Sequence, residues 1–236
     1  MTAQAFGPPA DWPDQDLIAF STEFDSAMTL LAYRSGVFPM PLPDADFGGE
    51  MGWWSPLRRG VLEPGELRVS RSLRKSARRY TTTVDAAFGA VLARCADPGR
   101  PHGWIDGRIE SVYTALHAQG LAHSVETWDA EGRLVGGLYG VSLAGLFAGE
   151  SMFHDPVHGR DASKVALGRL VNELLDRPDE LVLLDVQWLT DHLAGLGAGE
   201  ISRQEYLTRL AAALTGVPTC WSRRIRPGDW RLPRTG

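Results

Sequence analysis

Two residues at the end of an apolar run are the first whose types and spacing suit chemistry on an amine. In LVLLDVQW, Asp185 and Gln187 lie two positions apart, so a strand carries both on one face. A carboxylate followed by such an amide can orient a reacting amine, and ligands of open α/β sheets gather at strand ends. The plainer use of Asp185 is to cap the helix that follows, and the pattern alone leaves both uses open. A second carboxylate, Glu150, stands inside the apolar string LFAGESMF. Burial there is costly without a partner, so Glu150 is either a paired site residue or sits at an exposed sheet edge. Alternation puts Phe147, Gly149 and Ser151 on one face of that strand and Ala148, Glu150 and Met152 on the other. Gly136, Gly137, Gly140 and Gly149, clustered in the same hairpin, mark a bulge or a close backbone approach by a ligand.

Other chemistries are not signalled. Ser151 lacks the second glycine of a nucleophile elbow. His154 and His158 have helical metal-ligand spacing, but Pro156 between them breaks the helix and places them in a surface loop. Cys95 and Cys220 have neither metal nor redox spacing, which suits a reducing, cytoplasmic setting. There is no Walker loop and no dinucleotide fingerprint, so no cofactor and no metal is expected.

The cationic residues point to a different partner. The chain has 236 residues and a net charge of −5, which taken alone argues against nucleic acid. Yet six basic residues and no acidic one fall between Arg68 and Arg79, and five arginines face one Asp from Ser222 to the end. An acidic body with two basic segments implies an anionic partner held locally. In SRSLRKSARRY, Arg71, Arg74, Lys75 and Arg78 recur at i, i+3, i+4 and i+7, with Leu73, Ala77 and Tyr80 opposite, so this is an amphipathic helix with a cationic face. Few of its apolar residues are large, which disfavours a membrane surface. No apolar stretch approaches the ~20 residues of a membrane span, and no signal peptide is expected.

These residues need a sheet and helices to position them. A helix opening at Asp25 or Ser26 ends at Gly36, and WIDGRIESVYTALHAQG forms another that ends at Gly120. AHSVETW, RLVGGLYGVSL and LFAGESMF are consecutive strands joined by tight turns. DASKVALGRLVNELL is helical, LVLLDV is a buried strand, and Ser202 with Glu205 makes a capping box for the last helix. Residues 1–24 are expected to be an irregular arm. VFPMPLPDADFGGEMGWWSP, with four prolines, is expected to be a loop without regular structure, forming a seam between domains. The expected division is a small N-terminal domain over residues 1–62 and a larger domain over 63–236. The larger one is α+β, a central sheet flanked by helices.

Read in order, AYRSGVFPMP, WWSPLRRGVL, LRVSRSLRKS, WID, LHAQGLAHSVETW, LVGGLYGV, LFAGESMF, DASKVAL, LLDVQ and HLAGLGAGEISRQEYL resemble the bacterial leucyl/phenylalanyl-tRNA–protein transferases. The resemblance runs from about Tyr33 to Leu207. It implies an acetyltransferase-like (GNAT-like) larger domain and aminolysis of an aminoacyl-tRNA ester by the N-terminal Arg or Lys of an acceptor protein, marking that protein for N-degron degradation. An aminoacyl ester is already activated, which agrees with the missing nucleotide motifs. By the same resemblance the side chain in transit enters a pocket of Leu138, Phe147, Gly149, Glu150 and Met152. Tyr33 and Tyr113 lie near the 3′ adenosine, Arg71, Arg74, Lys75 and Arg78 hold the tRNA, and Asp185 and Gln187 are the catalytic pair. Three features depart from the family pattern: Met40 replaces a stacking Trp, Leu138 stands where Met is common, and an upstream Gly-Gly-Asp-Leu segment is absent. Two other readings are weaker. An acyl-CoA N-acetyltransferase needs a pyrophosphate loop that Arg133–Leu138 fails to complete, and a plain RNA-binding module leaves Asp185 and the hairpin unexplained.

Overall fold

A computed structural model of the chain describes residues 5–42, 49–99 and 103–222. The basic run beyond Ser222 and the centre of the Pro-rich segment lie outside the described residues.

The N-terminal part is more regular than its prolines suggest. Strand β1 (Leu17–Ser21), helix α1 (Ser26–Ser35), and strands β2 (Phe38–Pro41) and β3 (Met51–Trp54) build a three-stranded sheet in the order β1-β3-β2. The expected irregular arm and structureless loop are thus both corrected. Pro39 and Pro41 do not prevent pairing, because β2 is an edge strand with only β3 beside it. Asp25 caps α1 by accepting the Met28 N–H at 2.7 Å, and Gly36 closes it in the left-handed conformation at φ 84°.

The larger sheet has seven strands in the order β10-β4-β9-β8-β7-β6-β5. They are β4 (Arg58–Leu62), β5 (Thr81–Val84), β6 (Ala122–Trp128), β7 (Leu134–Leu143), β8 (Leu146–His154), β9 (Leu183–Gln187) and β10 (Gly199–Ser202). β4, over residues 58–62, is therefore a strand of the large sheet. Among the described residues only the β8–β9 pairing is parallel. One face carries helices α3 (Phe88–Cys95), α4 (Gly107–Ala118) and α7 (Arg203–Ala213). The other carries α2 (Arg71–Ala77) and α5 (Ala162–Leu175), with the short α6 (Asp191–Gly195) at its rim. Ala32 and Tyr33 of α1 and Trp53 of β3 share one apolar cluster with Val91 of α3, Tyr113 of α4 and Tyr139 of β7, so the two parts are packed through a common core. The fold is mixed α+β, as expected, and no helix among the described residues is long and apolar enough to cross a membrane.

Candidate active site

The parallel pairing of β8 with β9 stops early. It runs through Leu146↔Leu183, Phe147↔Leu184 and Ala148↔Asp185 and goes no further. At the same level β8 bulges: Gly140 pairs Gly149 and Tyr139 pairs Ser151, leaving Glu150 without a cross-strand partner. A bulge re-aims the extra residue and shifts the phase of the strand by one. The expected alternation therefore fails beyond Gly149. Phe147 and Met152 face the same apolar cluster, while Ala148 and Phe153 face the other.

Where the strands part, a cavity of about 200 Å³ opens. Leu138 and Met152 of the hairpin, Leu167 and Leu170 of α5, and Leu184 and Val186 of β9 wall it. Glu150, Ser151, Gln187, Thr190 and His192 are its polar lining. An apolar cavity of about 150 Å³ accepts benzene, so this one admits an isobutyl or benzyl side chain. Four of the five pocket residues that the resemblance implies, Leu138, Gly149, Glu150 and Met152, border it. Phe147 does not: it is fully buried against Trp221, with ring centroids 5.7 Å apart. Of the four hairpin glycines only Gly149 faces this space. The other three make room for protein neighbours, a Cβ on Gly136 lying 2.5 Å from that of Ala162.

Glu150 is the centre of a buried polar cluster. Its Oε1 accepts from the Tyr33 hydroxyl at 2.6 Å and from Gln187 Nε2 at 3.2 Å, and its Oε2 accepts from the Tyr113 hydroxyl at 2.9 Å. The two tyrosine hydroxyls are themselves 2.5 Å apart. Three contacts among Tyr33, Tyr113 and Glu150 need three protons, and the tyrosines bring two. A protonated Glu150 supplies the third by donating to one tyrosine hydroxyl, which then donates to the other, which donates back to the second carboxyl oxygen. Burial pushes the Glu150 carboxyl up to about 7, outweighing the two tyrosine hydrogen bonds, which favour the ionised form. Both tyrosines stay protonated, raised well above the ordinary value by burial and then by the Glu150 charge. Neither ring is open to a ligand, at 1% and 0% exposure. Their hydroxyls serve Glu150.

Asp185 is likewise placed differently from expectation. It is 0% exposed, and its four acceptor positions are filled. Arg59 donates from Nε to Oδ1 at 2.8 Å and from Nη2 to Oδ2 at 2.6 Å, Tyr206 donates its hydroxyl to Oδ2 at 2.8 Å, and the Gln187 N–H donates to Oδ1 at 2.9 Å. A substrate amine has no route to it, so the expected direct contact is corrected. Arg59 is held between the rings of Phe38 and Tyr206, at 4.6 and 4.2 Å. Neither Arg59 nor Tyr206 stood out in the sequence, because each acquires meaning only from a partner far along the chain. What Asp185 positions is Gln187. That residue adopts φ 58°, a left-handed conformation unusual for a side-chain-bearing residue, and turns its amide onto Glu150.

The cationic helix forms as expected, with Ser70 as its N-cap accepting the Leu73 N–H at 3.1 Å. Leu73 and Ala77 are buried, Arg71, Lys75 and Arg78 are exposed, and Arg74 is half-buried. Arg79 and Arg160 extend this patch, lining with Ser72, Lys75 and Ser76 a shallow hollow of about 230 Å³. Ser76 also bonds Asp161 at the head of α5, whose inner face walls the cavity, so patch and pocket share one rigid support. His154 and His158 sit in an exposed stretch, and no group of three or more His, Cys, Asp or Glu residues is arranged to hold a metal among the described residues.

A solved structure, that of L-PGS from Bacillus licheniformis, overlaps 75% of this chain and 57% of its own at 11% identity and a TM-score of 0.38, too remote to carry an argument. The chain is 48% identical over 194 residues to a leucyl/phenylalanyl-tRNA–protein transferase of Rhizorhabdus wittichii, covering 80% of this chain and 75% of that one. Against the protein of the same name from Anaeromyxobacter sp. (strain K) it is 44% identical over 237 residues, covering 98% and 94%. Residues 22–57 match the leucyl/phenylalanyl-tRNA protein transferase N-terminal domain and residues 61–211 match the main domain of that name, and the chain belongs to the leucyl/phenylalanyl-tRNA–protein transferase family.

Proposed function

We propose that this chain transfers leucine or phenylalanine from charged tRNA to the N-terminal Arg or Lys of an acceptor protein, in the cytoplasm, as a step that marks the acceptor for degradation. The observation that carries this is the meeting of Glu150 and Gln187, at 3.2 Å, beside an apolar cavity sized for those two side chains. Leu138, Met152 and the walls from α5 and β9 take the side chain of the aminoacyl group. Arg71, Arg74, Lys75 and Arg78 take tRNA phosphates.

In the reaction the neutral α-amine attacks the ester carbonyl carbon. A C–N bond forms, the C–O bond to the tRNA ribose breaks, and one proton moves from the nitrogen to the departing ribose oxygen. Efficient proton transfer needs a group titrating near the operating pH. Glu150, at about 7, lies close to the ~7.7–8.0 of an α-amine. Gln187 gives its N–H to Glu150, which leaves its amide oxygen to accept from the amine. Asp185 works as a positioning residue, with Arg59 and Tyr206 holding it.

The test is transfer of labelled leucine from Leu-tRNA to peptides differing only in their first residue. Label is expected in peptides beginning with Arg or Lys and not with Ala. Transfer from acyl-CoA, or none from Leu-tRNA, overturns the assignment.

A further inference from the structure

The left-handed Gln187 is clamped on both sides, and the second clamp comes from the far end of the chain. A strained backbone of this kind persists only where its surroundings over-determine it. Upstream, Asp185 accepts the Gln187 N–H at 2.9 Å. Downstream, the indole N–H of Trp188 donates to Asp16 Oδ2 at 3.0 Å, across 172 residues of sequence. The Trp188 ring meets Phe38 and Trp54 edge-on, with centroids 4.9 and 5.6 Å away. On the other side Gly60 keeps its space open: an added Cβ would lie 3.2 Å from the Trp188 carbonyl carbon and 3.1 Å from the Leu189 nitrogen.

Asp16 is tied into the same machinery elsewhere. Its Oδ1 accepts the Leu57 N–H at 2.9 Å, and its carbonyl accepts the Ser55 N–H at 2.8 Å, fixing the chain just ahead of β4 and Arg59. Arg203, the first residue of α7, bonds the carbonyls of Pro13, Gln15 and Ser55. That fastens the same short segment to the helix that carries Tyr206. Residues 13–16 thus join the three elements that supply Arg59, Tyr206 and Gln187.

We infer that Asp16 is a positioning residue for the transfer reaction, acting through the Trp188 indole to hold the Gln187 amide on Glu150. This rests on the role given to Gln187 above. It assigns the N-terminal segment a part in the chemistry although that segment does not line the cavity.

The test is single-turnover transfer by Asp16→Asn, Trp188→Phe, Gln187→Ala and the two double variants that include Gln187→Ala, each with its KM for Leu-tRNA. Trp188→Phe keeps an aromatic ring beside Phe38 and Trp54 while removing the N–H donor along with part of the indole, so it carries the test if Asp16→Asn folds poorly. An ångström-scale misplacement of a reacting group costs up to ~10²-fold. Each single variant is expected to slow transfer on the order of tenfold at unchanged KM. Neither is expected to slow it further in the Gln187→Ala background. Wild-type rates in Trp188→Phe, or the same fractional loss with and without Gln187, overturn the inference and leave the bond merely structural. A wild-type rate in Gln187→Ala itself overturns the role of Gln187, and the inference with it.

Discussion

Gln187 Nε2 meets Glu150 Oε1 at 3.2 Å although the strands that carry them have already stopped pairing. The contact exists because β8 bulges at Glu150 and β9 ends in a left-handed residue. Two local irregularities at one level of the sheet turn two side chains toward each other that regular strands would hold apart.

Burial of Glu150 makes stability depend on pH in a predictable direction. Its carboxyl titrates at about 7 in the folded chain, against an ordinary 4.5, so the fold favours the protonated form. The contribution is whole below the unfolded value and is lost as pH rises through about 7. Glu150→Gln removes that dependence. The mutant is expected to gain on the wild type between pH 5 and pH 8, by up to about 3 kcal/mol. Urea denaturation at several pH values measures this, and parallel stability curves would count against a raised carboxyl.

The Arg59–Asp185 pair is buried and fully satisfied, so removing one partner leaves a charge stranded. Asp185→Asn is expected to destabilise the chain by about 3–5 kcal/mol and to slow transfer as well. Asp185 thereby differs from Gln187, whose replacement by Ala should leave stability nearly unchanged while lowering kcat. Thermal melts beside single-turnover rates separate the two, and a slow but fully stable Asp185→Asn would restore it to direct contact with substrate.

Phe147 and Leu138 should part company although both stand in the same hairpin. Phe147→Ala empties a packed site beside Trp221 and is expected to cost about 3–5 kcal/mol, without changing the ratio of leucine to phenylalanine transferred. Leu138→Trp projects into the cavity and should block both substrates in a stable protein. A changed transfer ratio in Phe147→Ala would place that ring in the specificity pocket after all.

Much of this site was legible because its signals are local. A carboxylate in an apolar strand, an Asp and Gln at a strand end, and four cations at helical spacing each declare themselves within about ten residues. What escaped was set by distant partners. Arg59 bonds Asp185 across 126 residues, and Tyr206 reaches the same carboxylate from a different helix. The bulge at Glu150 depends on the register with β7, so plain alternation set Met152 on the face opposite Phe147 when the two share one. Strands β2 and β3 were hidden because prolines that would break a central strand are tolerated at an edge.

Binding of tRNA should depend on salt through α2. Each phosphate contact contributes a slope of ~0.7–0.9 in log K against log salt. Changing Arg71, Lys75 and Arg78 together to Glu should raise the KM for charged tRNA and flatten that slope, with the folded cavity intact. Filter binding across a salt series measures it, and an unchanged slope would remove RNA from this helix.

The central claim is that Glu150, not Asp185, receives the proton of the attacking amine. Its most direct measurement is the pH dependence of single-turnover transfer to an Arg-starting peptide at saturating Leu-tRNA. Below pH 7 the wild type must shed two protons to react, one from Glu150 and one from the amine. Its log rate should therefore climb with a limiting slope of about 2 per pH unit, since both groups are protonated there. Glu150→Gln should be slower by ~10²–10⁴ and keep only the amine's slope of about 1. Equal slopes in the two proteins, or a wild-type rate in the mutant, would contradict it.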